Sequence, residues 1–343
     1  MTFPTQLMVT TALVAATIAL APAAEARDQI RIVGSSTVYP FSTTVAEHFG
    51  KAGKFKTPVV ESTGSGGGLK LFCSGVGPDF PDITNASRRI EPTEVETCTK
   101  NGVTAISEVV IGYDGIVLAN SNRGPHFALT RDQIYRALAK DVLVNGKFEA
   151  NPYKKWSEID KSLPDIEITV FGPAPNHGTR DALLELVMDP ACGKYAEIKA
   201  LDKDAKKKAC HMIREDGAFI EVSESYNVTL QKIEASTTAL GVFGFSYLDQ
   251  NRDKVQAATV DGVEASFDTI AARSYPVSRP LYFYVKAAHV GMIPGIKEFV
   301  TEFTSEKAWG KNGYLSDIGL IPMPDGERQD AAKKAVSFAP LKL

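Results

Sequence analysis

The stretch Ile32-Val33-Gly34-Ser35-Ser36-Thr37-Val38-Tyr39-Pro40 decides the fold. An apolar strand end runs into small hydroxyl residues and then into the amphipathic segment 41–49, which gives a strand, a turn and a helix start in succession. Backbone N–H groups at a helix N-terminus lack internal partners and carry the positive end of the macrodipole, so hydroxyls added there complete a cradle for an oxyanion. The plainer alternative is an ordinary Ser/Thr helix cap. The arrangement recurs, however. Val59-Val60-Glu61 reads as a strand, Ser62-Thr63-Gly64-Ser65-Gly66-Gly67-Gly68 as a turn, and Leu69-Lys70-Leu71-Phe72-Cys73 as a helix start. Residues 166–171 alternate as a strand, 172–179 form a Pro/Gly/His turn, and 180–188 read as a helix. Three strand-turn-helix units with small donors at the turn suggest one shared anion.

Residues 7–21 form an apolar run the length of a signal-peptide core, shorter than the roughly 20 residues that span a bilayer, and Ala24-Glu25-Ala26 supplies an A-x-A cleavage site. We expect export and cleavage after Ala26, although residues 1–6 carry no Lys or Arg; no Cys follows the core, which argues against a lipid anchor. Removing those 26 residues from 343 leaves 317, enough for two domains at about 150 residues each. With 38 basic and 41 acidic side chains there is no basic excess to attract nucleic acid. Cys73, Cys98, Cys192 and Cys210 fit an oxidising compartment as two disulfides; four cysteines allow three pairings, of which we expect the local one, Cys73 with Cys98 and Cys192 with Cys210.

After the second glycine turn, residues 81–90 read as a short strand ending at Ser87-Arg88-Arg89, and residues just beyond a strand's carboxyl end are site candidates in open α/β sheets, which singles out Ser87 and Arg88. Residues 91–100 read as a helix and 105–120 as a long strand interrupted at Gly112-Tyr113-Asp114-Gly115. A matching segment, Tyr275-Pro276-Val277-Ser278-Arg279-Pro280 and then 281–285, lies near the end. Two such segments flanking the middle of the chain imply crossover strands and a discontinuous first domain, 27–113 plus 279–343, around an inner one, 114–278. Thr130 with Gln133 forms a capping box on a scaffold helix. Residues 203–208 read as a solvated charged face, 241–247 as an aromatic core strand, and 294–309 as a helical tail packing back on the first domain.

With these residues assembled, the chain resembles the periplasmic phosphate-binding protein of the phosphate ABC transporter. The likeness rests on residues 34–40, Thr63-Gly64-Ser65-Gly66-Gly67-Gly68, Ala86-Ser87-Arg88, Gly178-Thr179-Arg180 and 275–281, which follow the family's order over nearly the whole mature chain. It implies a two-lobed type II binding-protein fold, α/β in class, each lobe a mixed sheet flanked by helices, with two crossover strands as hinge. Carried over by motif, the likeness implies anion contacts from Ser36, Thr37 and Val38, from Ser65, and from Gly178 and Thr179, with His177 in the same turn. Two departures matter. Where the family often has Gly-Ser-Gly-Thr preceded by Arg, this chain has Asn176-His177-Gly178-Thr179 with Pro173 in place of that Arg, and some members have Asp where Arg88 stands. We therefore assign the positive charge to Arg88 and Arg180.

The expected function is high-affinity binding of inorganic phosphate in the periplasm and delivery to an inner-membrane ABC permease, by a monomer that is not an enzyme and needs no cofactor or metal. A secreted phosphatase would need a nucleophile with a base or a two-metal cluster. The histidines at 48, 126, 177, 211 and 289 are scattered, with no pair at metal-ligand spacing. A binding protein for sulfate or molybdate remains the nearer alternative. Phosphate keeps a proton that sulfate lacks, so selectivity calls for a fixed acceptor; Asp114 and Asp82 are the candidates, and Asp114, at the hinge, is preferred.

Overall fold

A computed structural model describes residues 27–175, 177–222 and 226–343; the expected leader and Asn176 lie outside the described residues. Nine strands form the main sheet: β1 (Arg31–Gly34), β2 (Val59–Ser62), β3 (Ile83–Ala86), β4 (Ile106–Ser121), β5 (Val170–Pro173), β6 (Phe219–Val222), β7 (Leu240–Gly244), β8 (Val255–Ala257) and β9 (Ser278–Lys286). Their order is β2-β1-β3-β9-β4-β7-β5-β6, with β8 also on β4. The helices that matter below are α1 (Tyr39–Lys51), α2 (Ser65–Phe72), α3 (Pro92–Lys100), α4 (Arg131–Leu138), α5 (Gly178–Leu183), α6 (Phe245–Gln250) and α7 (Ile296–Phe303).

The 16-residue strand β4 is the spine. Its first part, to Gly115, pairs antiparallel with β9, and from Ile116 onward it pairs with β7 and β8. One strand thus belongs to two half-sheets, and its partner changes where the sequence reads Asp114-Gly115-Ile116. The interruption expected at Gly112 is a local irregularity rather than a break. Gly112 takes φ 143°, the register of β9 shifts between Leu281 and Tyr282, and a Cβ at Gly112 would lie 2.6 Å from the Ile321 carbonyl oxygen. Ile321 and Tyr113 exchange backbone hydrogen bonds there, so the tail braces the spine. Parallel β1, β2 and β3 fill one half-sheet, and parallel β5, β6 and β7 the other.

Several elements start elsewhere than the sequence suggests. Helix α2 begins at Ser65, so the three glycines read as turn form its first turns. The reason is close packing: a Cβ on Gly68 would lie 2.4 Å from the Cα of Gly34 and 2.7 Å from Thr84 Oγ1. Only a bare helix face lets α2 settle on β1. Strand β5 starts at Val170 rather than 166, because Ile166 and Ile168 bond instead with the loop around Lys154. The segment read as aromatic strand 241–247 ends at Gly244 and turns into α6. The capping box at Thr130 and Gln133 is present on α4, and α7 packs back on α1 through Phe49 and Phe299, edge to face at 5.7 Å. Cys73 is bonded to Cys98 and Cys192 to Cys210, the local pairing. No helix among the described residues is long and apolar enough to cross a membrane.

The packing of Gly68 gives a stability prediction. Gly68→Ala should lower urea stability by about 1–3 kcal/mol, the scale for overpacking a tight interface. Gly66→Ala, whose Cβ would meet only Arg88 Nη2 at 3.9 Å, should be neutral or slightly stabilising. Equal midpoints for the two variants would remove the close-approach account.

Candidate functional site

The hydroxyl turn after β1 does not cap α1 in the ordinary way. The N-cap of α1 is Val38, which has no side-chain cap bond, and the first helical hydrogen bond runs from the Tyr39 N–H to the Ser35 carbonyl. Ser36 and Thr37 therefore stand ahead of the helix with their side chains turned to other partners. The Ser36 hydroxyl donates to the Asp181 carboxylate across the cleft. Thr37 Oγ1 accepts from Arg279 Nη2 at 3.0 Å and lies 3.4 Å from the Gly178 carbonyl.

Arg279 is the centre of the arrangement. In the β9–β4 register it sits directly opposite Asp114, at the spine's change of partner. Its side chain is only 7% exposed, its Nε lies 3.5 Å from Asp114 Oδ2, and its Nη1 reaches Glu185. Neither Arg279 Nε nor Asp114 Oδ2 has a hydrogen-bond partner among the described residues. Two buried polar atoms that face each other without a bond mark a place where a further polar group would be welcome. Burial, offset in part by Arg279, holds the Asp114 carboxyl above the usual carboxylate range.

Around this centre two cavities open, of about 730 and about 890 Å³. Ser36 lines both. Thr37, Asp114, Gly178 and Thr179 line the first; Ser65, Ser87, Arg88 and Arg279 line the second. Ser65 Oγ accepts from the Ser87 N–H at 3.0 Å and lies 3.0 Å from its hydroxyl, so the glycine turn and the end of β3 are joined at the site. The Gly178 turn is pressed on Thr37, since a Cβ there would come within 2.9 Å of Thr37 Cα. Thr179 is buried and shares a short hydrogen bond with the Tyr226 hydroxyl, whose pKa burial pushes up to about 12.

The structure gives five of the sequence candidates other partners. Arg180 lines neither cavity: its Nη1 donates to the Pro173 carbonyl and to Glu221, both at 3.0 Å, and its guanidinium lies over the Phe219 ring. Its place on α5 turns it toward β5 and β6, away from Arg279. Arg88 does line the second cavity, but Glu94 of α3 holds it bidentately at 2.7 and 2.9 Å. Val38 is fully buried with its N–H toward Ser35 Oγ, and His177, which lines the first cavity, caps α5, its Nδ1 accepting from the Thr179 N–H at 3.0 Å. Asp82 is no acceptor for a ligand, being buried under Arg27, His289 and the Arg31 N–H. The charge carrier missed by sequence reasoning is Arg279. Its signal was a lone charge in the mostly apolar segment 275–285 read as a crossover strand, since a charge buried in such a strand must be paired.

Converging hydroxyls, a buried guanidinium and a carboxylate can hold a tetrahedral oxyanion and accept a proton from it. An α/β chain whose spine serves two half-sheets, with donors gathered in the cleft between them, defines a two-lobed binding protein. The chain belongs to the PBP superfamily, whose domain model matches residues 20–307. It is 28% identical to the protein SphX of Synechococcus elongatus over 89% of this chain and 81% of the relative. It is 28% identical to the phosphate-binding protein PstS of Staphylococcus saprophyticus, over 88% and 82% respectively. Among solved structures, a "possible phosphate binding protein" from Planctomyces limnophilus superposes with a TM-score of 0.73 at 26% identity, covering 91% of this chain and 98% of that one.

The raised pKa of Asp114 sets a pH dependence. A carboxyl whose folded pKa lies above its unfolded value near 3.9 is stabilising only while protonated, and its cost grows as pH rises through the folded pKa. Asp114→Asn should therefore raise Tm at pH 7, with the gain shrinking toward pH 4, as read by calorimetry. A variant less stable at every pH would mean that the pairing with Arg279 outweighs desolvation.

Proposed function

We propose that this chain binds inorganic phosphate between lobes formed by residues 27–113 plus 279–343 and by 114–278, and hands it to an ABC permease. The observation that carries the reading is the buried guanidinium of Arg279 set among the hydroxyls of Ser36 and Thr37 at the crossing of β4 and β9. The relatives named as phosphate-binding proteins support the choice of anion. Ser36, Thr37, Ser65, Gly178 and Thr179 supply neutral donors, Arg279 the positive charge, and Asp114 the acceptor for the ligand's proton. The protein acts by binding and release, without a reaction, as a periplasmic monomer whose leader is removed after Ala26.

Titration calorimetry with phosphate and sulfate tests this. Phosphate should bind and sulfate should compete weakly. Arg279→Ala should cost on the order of 2 kcal/mol of phosphate binding, about thirtyfold, the scale of hydrogen bonds to an ion. Arg180→Ala, checked for folding, should cost less than threefold. A larger loss at Arg180 than at Arg279 would move the site to the β5–β6 side.

A further inference from the structure

The first cavity is larger than an inorganic oxyanion needs even where the lobes are in contact. The lobes already touch on both of its sides, through Thr37 and Gly178 at 3.4 Å on the hinge side and through the Ser246 hydroxyl and the Gly319 carbonyl at 3.0 Å on the far side. With these contacts made, about 730 Å³ stays open, within the range of small organic ligands. The wall beyond the anion donors is aromatic. Tyr226 and Tyr247 lie 5.1 Å apart by ring centroids, Tyr247 stacks on Phe243 at 5.3 Å, and Tyr39 forms the opposite lip. Among the described residues, the Asp, Glu, Lys and Arg side chains lining this cavity are Asp114 and, at the rim, Asp317. Aromatic faces and carboxylates favour a cation and give no partner to a second anionic group.

Resting on the phosphate reading above, we propose that the cleft also takes small zwitterions in which a phosphate monoester or phosphonate occupies the anion donors and a short arm carries an amine into the cavity between Tyr247 and Asp317. The hinge end of the cavity supplies Thr37 and Thr179 for the anion, and the far end supplies the rings and the exposed carboxylate for the cation. Neither Tyr247 nor Asp317 belongs to the anion donors, so the two halves of the ligand can be probed separately.

Titration calorimetry with phosphate, phosphocholine, 2-aminoethylphosphonate and ethyl phosphate tests the proposal, the second and third probes distinguishing ester from phosphonate. At least one amine should bind tenfold or more tighter than ethyl phosphate, which has the anion and arm without the cation. Asp317→Asn, an exposed change, and Tyr247→Leu, verified by its melting curve, should each reduce that preference to about threefold, in line with an ion pair and a ring contact, while phosphate affinity stays within twofold. If phosphate binds but ethyl phosphate and the amines bind alike, or none displaces it at thousandfold excess, the inference is overturned and the phosphate reading stands. If no probe binds, both fall.

Discussion

A buried guanidinium opposite a half-buried carboxylate, Arg279 on β9 across from Asp114 on β4, is the constraint on which the rest depends. Taking two charges out of water costs several kcal/mol per ion, and pairing returns that only when the remaining hydrogen-bond positions are filled. Here the two Nη positions of Arg279 are filled from both lobes, by Thr37 from the turn after β1 and by Glu185 from the π-helical segment Leu184–Met188 that continues α5, while Arg279 Nε and Asp114 Oδ2 are left without a partner among the described residues. The pair must therefore sit where the two half-sheets share a strand, since only there can groups from either side reach it. The tail's exchange of hydrogen bonds with Tyr113 fixes β4 one residue before Asp114, and the register shift of β9 falls just beyond Arg279.

The same constraint explains what a reader of the sequence can and cannot see. Strands β1, β2 and β3 and the two crossover segments were legible because apolar periodicity and Gly-rich turns are local properties. The turn Gly34-Ser35-Ser36-Thr37 could be read as a candidate donor site because the strand-turn-helix unit with small donors occurs three times. The charge partner was not. Arg88 and Arg180 adjoin the turns, and adjacency in sequence favoured them, yet Glu94 and Glu221 engage both. Arg279 lies 242 residues from the Thr37 it bonds, and that distance is bridged only by the topology that places β9 between β3 and β4. The start of α2 was misplaced for a related reason: glycines read as turn when seen alone, whereas Gly68 is small because Gly34 presses on it.

Asp181 and Glu185, four residues apart on one face of the α5 segment, complete the electrostatic picture. They accept from Ser36 and Arg279, two of the donors assigned to the anion. With Asp114 they place three carboxylates on the cleft's donors, Asp114 and Glu185 at Arg279 and Asp181 at Ser36, while Arg88 is held by Glu94. The charge of Arg279 is therefore already matched by carboxylates, and attraction by net charge does not account for recognition at that point. Directed N–H and O–H donors have to do it, each aimed at one oxygen. An arriving oxyanion must displace carboxylates from donors they already hold, so it gains only the difference between two anions. A carboxylate offers two oxygens in a plane. A tetrahedral ion offers four in space and can meet donors such as Ser36, Thr37, Ser65 and Arg279 from one lobe and Thr179 from the other at once. A fully deprotonated ion would meet Asp114 as like charge, whereas one that keeps a proton can donate it to that carboxylate, so the acids that crowd the site turn geometry and protonation into the terms of selection.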